Sequence, residues 1–254
     1  MRILLTNDDG VHAPGLKVLE QIARQFSDDI WICAPSEEQS GAGHSLTLTR
    51  PVRLQKLGER RFAVTGTPTD SVMMALRTVM DGAPDIILSG VNRGANLADD
   101  ITYSGTVSAA IEGALAGIRS IAFSQVYARE GMGDDVPFGA ALEWGPKVLS
   151  KLIDAPMADR TLINVNFPAI AAEDVKGIRV VRQGFHDYSR GTIVEGRDPR
   201  GYRYFWFGLD QIEHTLDHGT DLEAIEEGYV AVTPLQLDLT HYSTIGILAE
   251  RFGD

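Results

Sequence analysis

Short apolar runs alternate with amphipathic segments along the first half of the chain. The runs RILLTN, DIWICAP, PDIILSG and SIAFSQ have the length and continuity of strands that are buried on both faces. The segments that begin at Gly15, Thr67 and Ser104 repeat their apolar residues at helical spacing, and Pro14 suits the first turn of the first one. This alternation predicts an α/β fold, a Rossmann-like, mostly parallel sheet with helices on both faces.

The second half of the chain extends this sheet and then departs from its rhythm. Another helix is predicted in FGAALEWGPKVLSKLI and another strand in TLINVNFP. From Gly177 onward, GIRVVRQ and YRYFWFG are typical of two paired strands around the polar loop SRGTIVEGRDPRG. A short helix and a final strand follow in TDLEAIEEGYVAVTPL, and a closing helix in STIGILAERF. We therefore predict a Rossmann-like domain over residues 1–176, with 177–254 supplying a hairpin arm, a final strand and a C-terminal helix that complete the domain and an oligomer.

One insertion interrupts the alternation between the second predicted strand and the second predicted helix. In HSLTLTRPVRLQKLGERRFAVTGTP, the alternating Leu46 and Leu48 and the later Phe62 and Val64 predict a β-hairpin. We expect this hairpin to lie near the functional edge of the sheet.

Acidic residues outnumber basic ones, 35 to 23, and give a formal net charge of −12. Such a surface repels phosphate backbones and anionic lipid headgroups, so we expect neither a nucleic acid nor a membrane as a partner. The single Cys33 lies in the apolar run IWICAP and excludes both an intrachain disulfide framework and a cysteine zinc cluster. Because no run of about 18 apolar residues and no signal-like leader is present, we expect a soluble cytoplasmic protein.

Polar residues collect directly after the predicted strands. The first strand is followed by Asn7, Asp8, Asp9 and Gly10, the second by SEEQSGAGHS, and the third by VNRGANLADD. The next helix opens with YSGT, and its first N–H groups have no acceptor within the helix. Ligands of open parallel sheets bind at the carboxyl ends of the strands, where the strand order reverses, so we expect these four segments to converge.

Asp8 and Asp9 pose an electrostatic problem at that edge. Two adjacent carboxylates repel each other, and near a low-dielectric sheet edge one of them takes up a proton unless a cation neutralises the pair. They either cap the following helix and shape an Asx turn before Gly10, or they bind a metal. The pair alone leaves both interpretations open, but the oxygen donors of the neighbouring loops favour a divalent cation such as Mg²⁺, Mn²⁺ or Ca²⁺ over zinc.

Five motifs stand in order along most of the chain, from residue 1 to about residue 235: RILLTNDDG, CAPSEEQSGAGHS, TGTPTDSV, SGVNRGANLADDITYSGTVSAAIEGA and EEGYVAVTPL. Together they resemble the SurE family, the survival-protein-E phosphatases. The resemblance implies a metal-dependent 5′- and 3′-nucleotidase with a Rossmann-like domain and a hairpin arm swapped within a dimer or tetramer. It also implies that the family's metal ligands are Asp8, Asp9, Ser40 and Asn92 of this sequence. The hairpin arm, roughly residues 185 to 220, matches the family least.

Each implied role has a physical basis. Asp8 and Asp9 would be the catalytic carboxylates and supply the charge that holds one divalent ion per subunit, whether Mg²⁺, Mn²⁺ or Co²⁺. Ser40 and Asn92 would be neutral ligands, which leave the ion more electrophilic than four carboxylates would. The ion would polarise a phosphoryl oxygen and lower the pKa of a bound water, and that water would attack the phosphate without a covalent intermediate.

The YSGT segment is the predicted phosphate site. Asn96, Ser104, Gly105 and Thr106 would hold the phosphate through side-chain and main-chain donors, and the helix dipole would attract the anion. Ordinary N-capping by Ser104 is the alternative for an isolated segment of this kind. The neighbouring VNRGAN motif favours phosphate binding.

The predicted reaction is hydrolysis of nucleoside 5′- and 3′-monophosphates to nucleoside and phosphate, with short polyphosphate as a further candidate substrate. The alternative is a non-catalytic, metal-dependent sensor of nucleotide or phosphate. A receiver-type signalling module is disfavoured because LSGVN stands where its phospho-acceptor aspartate belongs. The first strand leads to NDDGVHAPG, not G-x-G-x-x-G, and G-x-x-x-x-G-K-[ST] is absent, which disfavours a dehydrogenase and a P-loop kinase.

Two basic residues near the predicted site have competing interpretations. His44, four residues past Ser40, either protonates the leaving ribose oxygen or forms a hydrogen bond that holds its glycine-rich loop, and we favour the second role. Arg93 either reaches the phosphate or forms an ion pair with Asp99 or Asp100, and the sequence does not separate the two.

Further residues flank these motifs. Asp70, in GTPTD, is predicted to cap the second helix and to shape the pocket wall without taking part in catalysis. Tyr103 and Tyr188 are candidates for recognising the nucleobase, with simple packing as the alternative.

Overall fold

The computed structural model describes residues 1–127, 137–186, 191–209 and 219–253. The strands are β1 Ile3–Thr6, β2 Ile30–Pro35, β3 Leu54–Gly58, β4 Arg61–Val64, β5 Ile86–Arg93, β6 Arg119–Gln125, β7 Thr161–Phe167, β8 Ile178–Val180, β9 Gly191–Arg197, β10 Arg203–Leu209 and β11 Val230–Gln236. The α-helices are α1 Pro14–Ala23, α2 Pro68–Met74, α3 Gly105–Leu115, α4 Gly139–Leu152, α5 Asp221–Glu226 and α6 Tyr242–Phe252. A π-helical segment, Ala75–Val79, continues α2, and a 3-10 turn, Ala98–Tyr103, precedes α3.

Nine strands form one sheet in the order β3-β4-β2-β1-β5-β6-β7-β11-β8. The run from β4 to β7 is parallel, β3 pairs antiparallel with β4, and β11 pairs antiparallel with β7. The predicted Rossmann-like, mostly parallel sheet is therefore confirmed. The chain moves from β1 to one side through β2 and then to the other side through β5, so the strand order reverses between β1 and β5.

Alternate residues of the central strands enter two separate cores. Leu5 of β1 packs in a core with Leu16 and Leu19 of α1, which α4 also covers. On the opposite face, Leu4 and Ile87 pack against α2 and α3. Since both faces are covered, the central strands are continuously apolar, which is the pattern that identified them in the sequence.

The two predicted hairpins are formed by different residues than expected. In the insertion, the first strand is β3 at Leu54–Gly58, and the alternation at Leu46 and Leu48 does not form a strand, although Phe62 and Val64 lie in β4 as predicted. The carbonyl of Ser45 instead accepts a hydrogen bond from the hydroxyl of Thr67, the N-cap of α2, and the N–H of Thr47 donates to Asp70.

The predicted pairing of GIRVVRQ with YRYFWFG in the arm is wrong. Ile178–Val180 forms β8 and joins the main sheet beside β11. The partner of β10 is β9, at Gly191–Arg197, which lies inside the segment predicted to be a polar loop. The extended antiparallel hairpin itself is present, built from β9 and β10 as a separate two-stranded sheet.

The C-terminal helix α6 differs from the other long helices because none of its residues is buried. Phe252 is 81 % exposed and Ile247 66 % exposed. Among the described residues, no helix combines the length and the apolar character needed to cross a bilayer.

Candidate functional site

A tight turn at the end of β1 presents the two carboxylates. Asn7 is fully buried, and its side-chain amide donates to the carbonyl of Gly10 at 2.9 Å. Gly10 has a φ of +101° and its Cα faces the main chain of Glu37, where a Cβ would lie 3.4 Å from the Glu37 carbonyl carbon. A side chain at position 10 would therefore be strained by this backbone conformation, while its Cβ would be in van der Waals contact with the loop after β2.

Asp8 lies at the centre of the site and is 5 % exposed. Its carbonyl accepts a hydrogen bond from the N–H of Gln39 at 2.8 Å, which attaches the loop after β2 to the turn. Its Oδ1 accepts a hydrogen bond from the hydroxyl of Thr106, in the first turn of α3. A Cβ added to Gly105 would lie 2.8 Å from the Cβ of Asp8, so only glycine allows α3 to begin this close to the carboxylate.

Asp9 connects the turn to the end of β5. Its Oδ2 accepts a hydrogen bond from the main-chain N–H of Arg93 at 3.1 Å. The register of β5 against β6 shifts between Ser89 and Asn92, and such an irregularity redirects the residues that follow it. The guanidinium of Arg93 lies 3.9 Å from Glu38, so the ion pair that it forms is not the one expected with Asp99 or Asp100.

Both carboxyl groups are held in a protein environment that disfavours their charge. Burial, and then the negative charge of Asp9, raise the pKa of Asp8 to about 7, although the hydroxyl of Thr106 acts in the opposite direction. Burial also raises the pKa of Asp9, against the opposing N–H and charge of Arg93, and Glu38 adds to the increase. A bound cation would reverse both effects, because it would neutralise the pair.

Each of the two predicted neutral ligands donates a hydrogen bond to a residue of its own segment. The side-chain amide of Asn92 donates to the carbonyl of Gly94 at 3.1 Å, and the hydroxyl of Ser40 donates to Glu38 at 2.8 Å. Each bond leaves oxygen lone pairs for a cation, as the supporting contacts of metal ligands commonly do. Among the described residues, no group of three or more His, Cys, Asp and Glu side chains could hold a metal. The carboxylate oxygens of Asp8 and Asp9 and the neutral oxygens of Ser40 and Asn92 are the donor types that a hard divalent cation prefers, so the residue types present fit such an ion.

The predicted phosphate segment forms the N-terminus of α3. Ser104 is the N-cap, and its hydroxyl oxygen accepts from the N–H of Val107 at 3.0 Å, so the capping alternative is realised. Thr106 is fully buried and its hydroxyl donates to Asp8. Its side chain and its main-chain N–H therefore both support the carboxylate. The main-chain N–H of Gly105 is left as the donor that this helix start offers to an anion.

Asn96 is 6 % exposed and belongs to a buried polar network that the sequence reasoning did not identify. Its side-chain amide donates to the hydroxyl of Ser124 at 2.7 Å, and its main chain is bonded by Asn164 and Asn166. The signal was present in the sequence, since NVNF places two asparagines on one face of an otherwise apolar strand. Buried amides of that kind require partners.

The remaining flanking residues have structural contacts. His44 lies 3.2 Å from Glu112 of α3, in agreement with the favoured loop-holding interpretation. Thr67 and Asp70 form a reciprocal capping box at the start of α2, as predicted for GTPTD. Tyr103 is 62 % exposed beside the N-terminus of α3. Tyr188 lies outside the described residues.

Comparisons with known proteins show which family the chain belongs to. The family model described as "Survival protein SurE" matches residues 3–190. A protein of Erythrobacter litoralis named 5′-nucleotidase SurE is 71 % identical over 253 residues, covering 99 % of this chain and 100 % of the relative. Its namesake in Rhizorhabdus wittichii is 64 % identical over 246 residues, or 96 % and 97 % of the two chains. The crystal structure of the SurE protein from Aquifex aeolicus superposes with a TM-score of 0.83 at 37 % identity and covers 100 % of both chains.

Proposed function

The chain belongs to the SurE family and is a 5′-nucleotidase, and on that premise we propose that it is a metal-dependent phosphomonoesterase of nucleoside 5′- and 3′-monophosphates. Its products are the nucleoside and inorganic phosphate. The observation that carries the metal dependence is the pair Asp8 and Asp9, whose pKa values are both raised by burial. Two buried carboxyl groups that repel each other destabilise the fold, and such perturbed pKa values are typical of functional sites.

The proposed ligands of one divalent ion per subunit are Asp8, Asp9, Ser40 and Asn92. When bound, Mg²⁺, Mn²⁺ or Co²⁺ supplies Lewis acidity that polarises the phosphoryl group and acidifies the attacking water. Asp8 is oriented by the hydroxyl of Thr106, and Asp9 by the N–H of Arg93. Both contacts hold the carboxylates rigidly, so little reorganisation is needed during the reaction.

The phosphate of the substrate binds at the start of α3 in this proposal. The N–H of Gly105 donates to its oxygens, Ser104, Thr106 and Asn96 flank it, and the dipole of this 11-residue helix attracts its charge. This helix start lies beside Asp8, since Gly105 is in contact with it. This proximity supports the proposal that the phosphorus atom binds next to the proposed metal ligands.

Phosphate release from AMP tests the metal dependence directly. The full-length protein in chelator should release none, and added Mn²⁺ should restore turnover. Assays with Mg²⁺ and Co²⁺ define the range of active metals. Assays with 3′-AMP and short polyphosphate define the range of substrates. A non-catalytic sensor would bind AMP in the presence of Mn²⁺ by calorimetry and release no phosphate. Turnover that survives complete chelation would overturn the proposal.

We also propose that the 177–254 segment completes both the domain and a homodimer or homotetramer, with the β9–β10 hairpin as the contact. Phe207 on β10 is 83 % exposed and Trp206 69 % exposed, which is unusual for large apolar side chains at the surface of a single subunit. Light scattering should give a multiple of the 27.6 kDa chain mass, and the double variant W206S/F207S should reduce it. A monomeric wild-type protein would contradict this proposal.

We propose a cytoplasmic location, because the single Cys33 is buried and free and a disulfide framework is not available. Cell fractionation of the tagged full-length chain tests the location.

A further inference from the structure

Asn96 lies between two parts of the proposed site, and side chains of β6 and β7 form hydrogen bonds with it. It lies between Asn92, at the end of β5, and the N-terminus of α3. Its N–H donates to Oδ1 of Asn166 at 2.9 Å, and its carbonyl accepts from Nδ2 of the same residue at 2.9 Å. Asn164 supplies a second donor to that carbonyl at 2.8 Å. Both main-chain groups of Asn96 are therefore fixed by side chains of β7.

A third contact fixes the side chain of Asn96. Its Nδ2 donates to Oγ of Ser124 at 2.7 Å, and Ser124 lies directly beside Asn166 in the parallel β6–β7 register. Nδ2 carries two hydrogens, so this bond orients the second hydrogen and Oδ1 without using them.

These polar residues contribute little to the core in which they lie. Ser124, Asn164 and Asn166 are fully buried, and Asn164 and Asn166 alternate with apolar residues of β7. A buried amide costs free energy unless its hydrogen bonds are made, and apolar residues would serve the sheet equally well. Their shared feature is that all three bond to Asn96.

We propose that Ser124, Asn164 and Asn166 are positioning residues that hold Asn96 in the geometry required for phosphate binding. The inference rests on the proposed role of Asn96 and of the α3 N-terminus. The three residues come from β6 and β7, whereas the proposed metal ligands come from β5 and the loops after β1 and β2. Ser124 lies beside Asn92 in the β5–β6 register, but strand pairing uses main-chain groups, which S124A keeps. Loss of the three side chains should therefore weaken phosphate binding and leave the metal affinity unchanged.

A double-mutant cycle on Asn96 and Ser124 tests the proposal. Calorimetry measures the affinity of the Mn²⁺-loaded full-length protein for inorganic phosphate, and of the metal-free protein for Mn²⁺. We expect N96A to weaken phosphate binding about 20-fold and S124A about 5-fold, with the double variant within about twofold of N96A alone. Mn²⁺ affinity should stay within about twofold of wild type in S124A.

The matched control is S120A, which removes another fully buried hydroxyl from the same strand. Ser120 bonds to the carbonyl of Ile118 at 3.0 Å, at the far end of β6 from the site, so phosphate affinity should not change. Unchanged phosphate binding in S124A, or an S124A effect that persists in the N96A background, overturns the inference alone. Unchanged binding in N96A overturns the assignment of Asn96 to the phosphate site and the inference with it.

The Asn166 contact is tested by N166A and N164A. N166A removes two of the three bonds to the Asn96 main chain and should weaken phosphate binding more than N164A, which removes the third. Equal effects of the two changes, or a parallel loss of Mn²⁺ affinity, contradict the positioning role. If N166A does not fold, N164A and the Ser124 cycle decide the outcome.

Discussion

The two edges of the nine-stranded sheet carry the same acidic residue type in opposite surroundings. At the amino ends, Asp29 precedes β2 and Asp85 precedes β5. Arg2 donates to Asp29 at 3.2 Å and, through its main-chain N–H, to Asp85 at 2.6 Å, while Arg60 donates to Asp29 at 2.8 Å. At the carboxyl ends, Asp8 and Asp9 lie beside each other and bond to a hydroxyl and a main-chain N–H.

The pKa values show what this difference means. Desolvation acts to raise the pKa of Asp29, but hydrogen bonds from Arg2 and Trp31 and the charge of Arg60 lower it overall. The pKa of Asp8 is raised to about 7. A carboxylate with a guanidinium partner stabilises the fold. Two buried carboxylates beside each other repel, and a bound cation would relieve that repulsion. The proposed function therefore assigns a structural role to the aspartates at the amino ends and a functional role to those at the carboxyl ends.

The largest expected effect comes from removing one charge at the carboxyl edge. D8N or D9N should lower the Mn²⁺-dependent release of phosphate from AMP by at least about a thousandfold, because half of the proposed ligand charge is lost. Circular dichroism should show an intact fold. The matched change D85N, at the opposite edge, should leave turnover near that of wild type. Full turnover in purified D8N and D9N would contradict the functional assignment of this edge.

A second variant tests how closely α3 must approach Asp8. The Cβ introduced by G105A would lie 2.8 Å from the Cβ and 3.0 Å from Oδ2 of Asp8, so the helix or the carboxylate must move. We expect a loss of about 100-fold in kcat/KM, since displacements of about 1 Å in a catalytic site have effects of this size.

The matched control for this change is G139A. Gly139 is also the first residue of a helix, and a Cβ there meets nothing within 4 Å. Turnover should be unaffected, and an equal loss in both variants would mean that the helix start tolerates no alanine for reasons unrelated to Asp8.

Much of the functional edge could be predicted from the sequence because its signals are local. A continuous apolar run that ends in NDDG gives both the strand and the carboxylates, and parallel topology brings the strand ends together. The same reasoning placed Asn92 and Ser104 near Asp8. What it could not give are contacts between residues far apart, such as the hydroxyl of Thr106 on Asp8, which spans 98 positions.

The C-terminal arm could not be predicted in detail for a different physical reason. A half-polar segment such as GIRVVRQ suits a hairpin strand and an edge strand equally, because both have one exposed face. β8 pairs with β11 only after the chain has returned from α5, so the choice depends on tertiary packing. The two asparagines of β7 raise the same difficulty, since their partner Asn96 is 70 residues from Asn166.

The pH dependence of stability should distinguish the two edges in the metal-free protein. The folded-state pKa of Asp8, about 7, exceeds its ordinary value of 3.8, so the folded state binds more protons between these pH values. Stability should therefore fall as pH rises from 4 to 7, by about 2 kcal/mol in chelator, and less so in D8N. Urea unfolding at several pH values measures this, and Mn²⁺ should stabilise the protein most at the high end. If the free energy of unfolding changed equally with pH in D8N and wild type, Asp8 would not be the cause of the pH dependence.

The smallest effect is expected from D29N, at the edge where arginines neutralise the aspartates. The pKa of Asp29 is lowered, whereas that of Asp8 is raised, so the stability should depend on pH in the opposite direction. The substituted amide would keep the shape of the side chain and lose the charge that faces Arg2 and Arg60. Because these ion pairs are partly exposed, stability at pH 7 should fall by about 1 kcal/mol or less. The lowered pKa of Asp29 means that its contribution is present above the ordinary carboxyl range and is lost as pH falls through the folded-state value, so wild type and D29N should converge in acid. Mn²⁺-dependent turnover should be unchanged. A D29N variant that is more stable than wild type at pH 7 would show that the arginines do not neutralise this edge, and the contrast with Asp8 would fail.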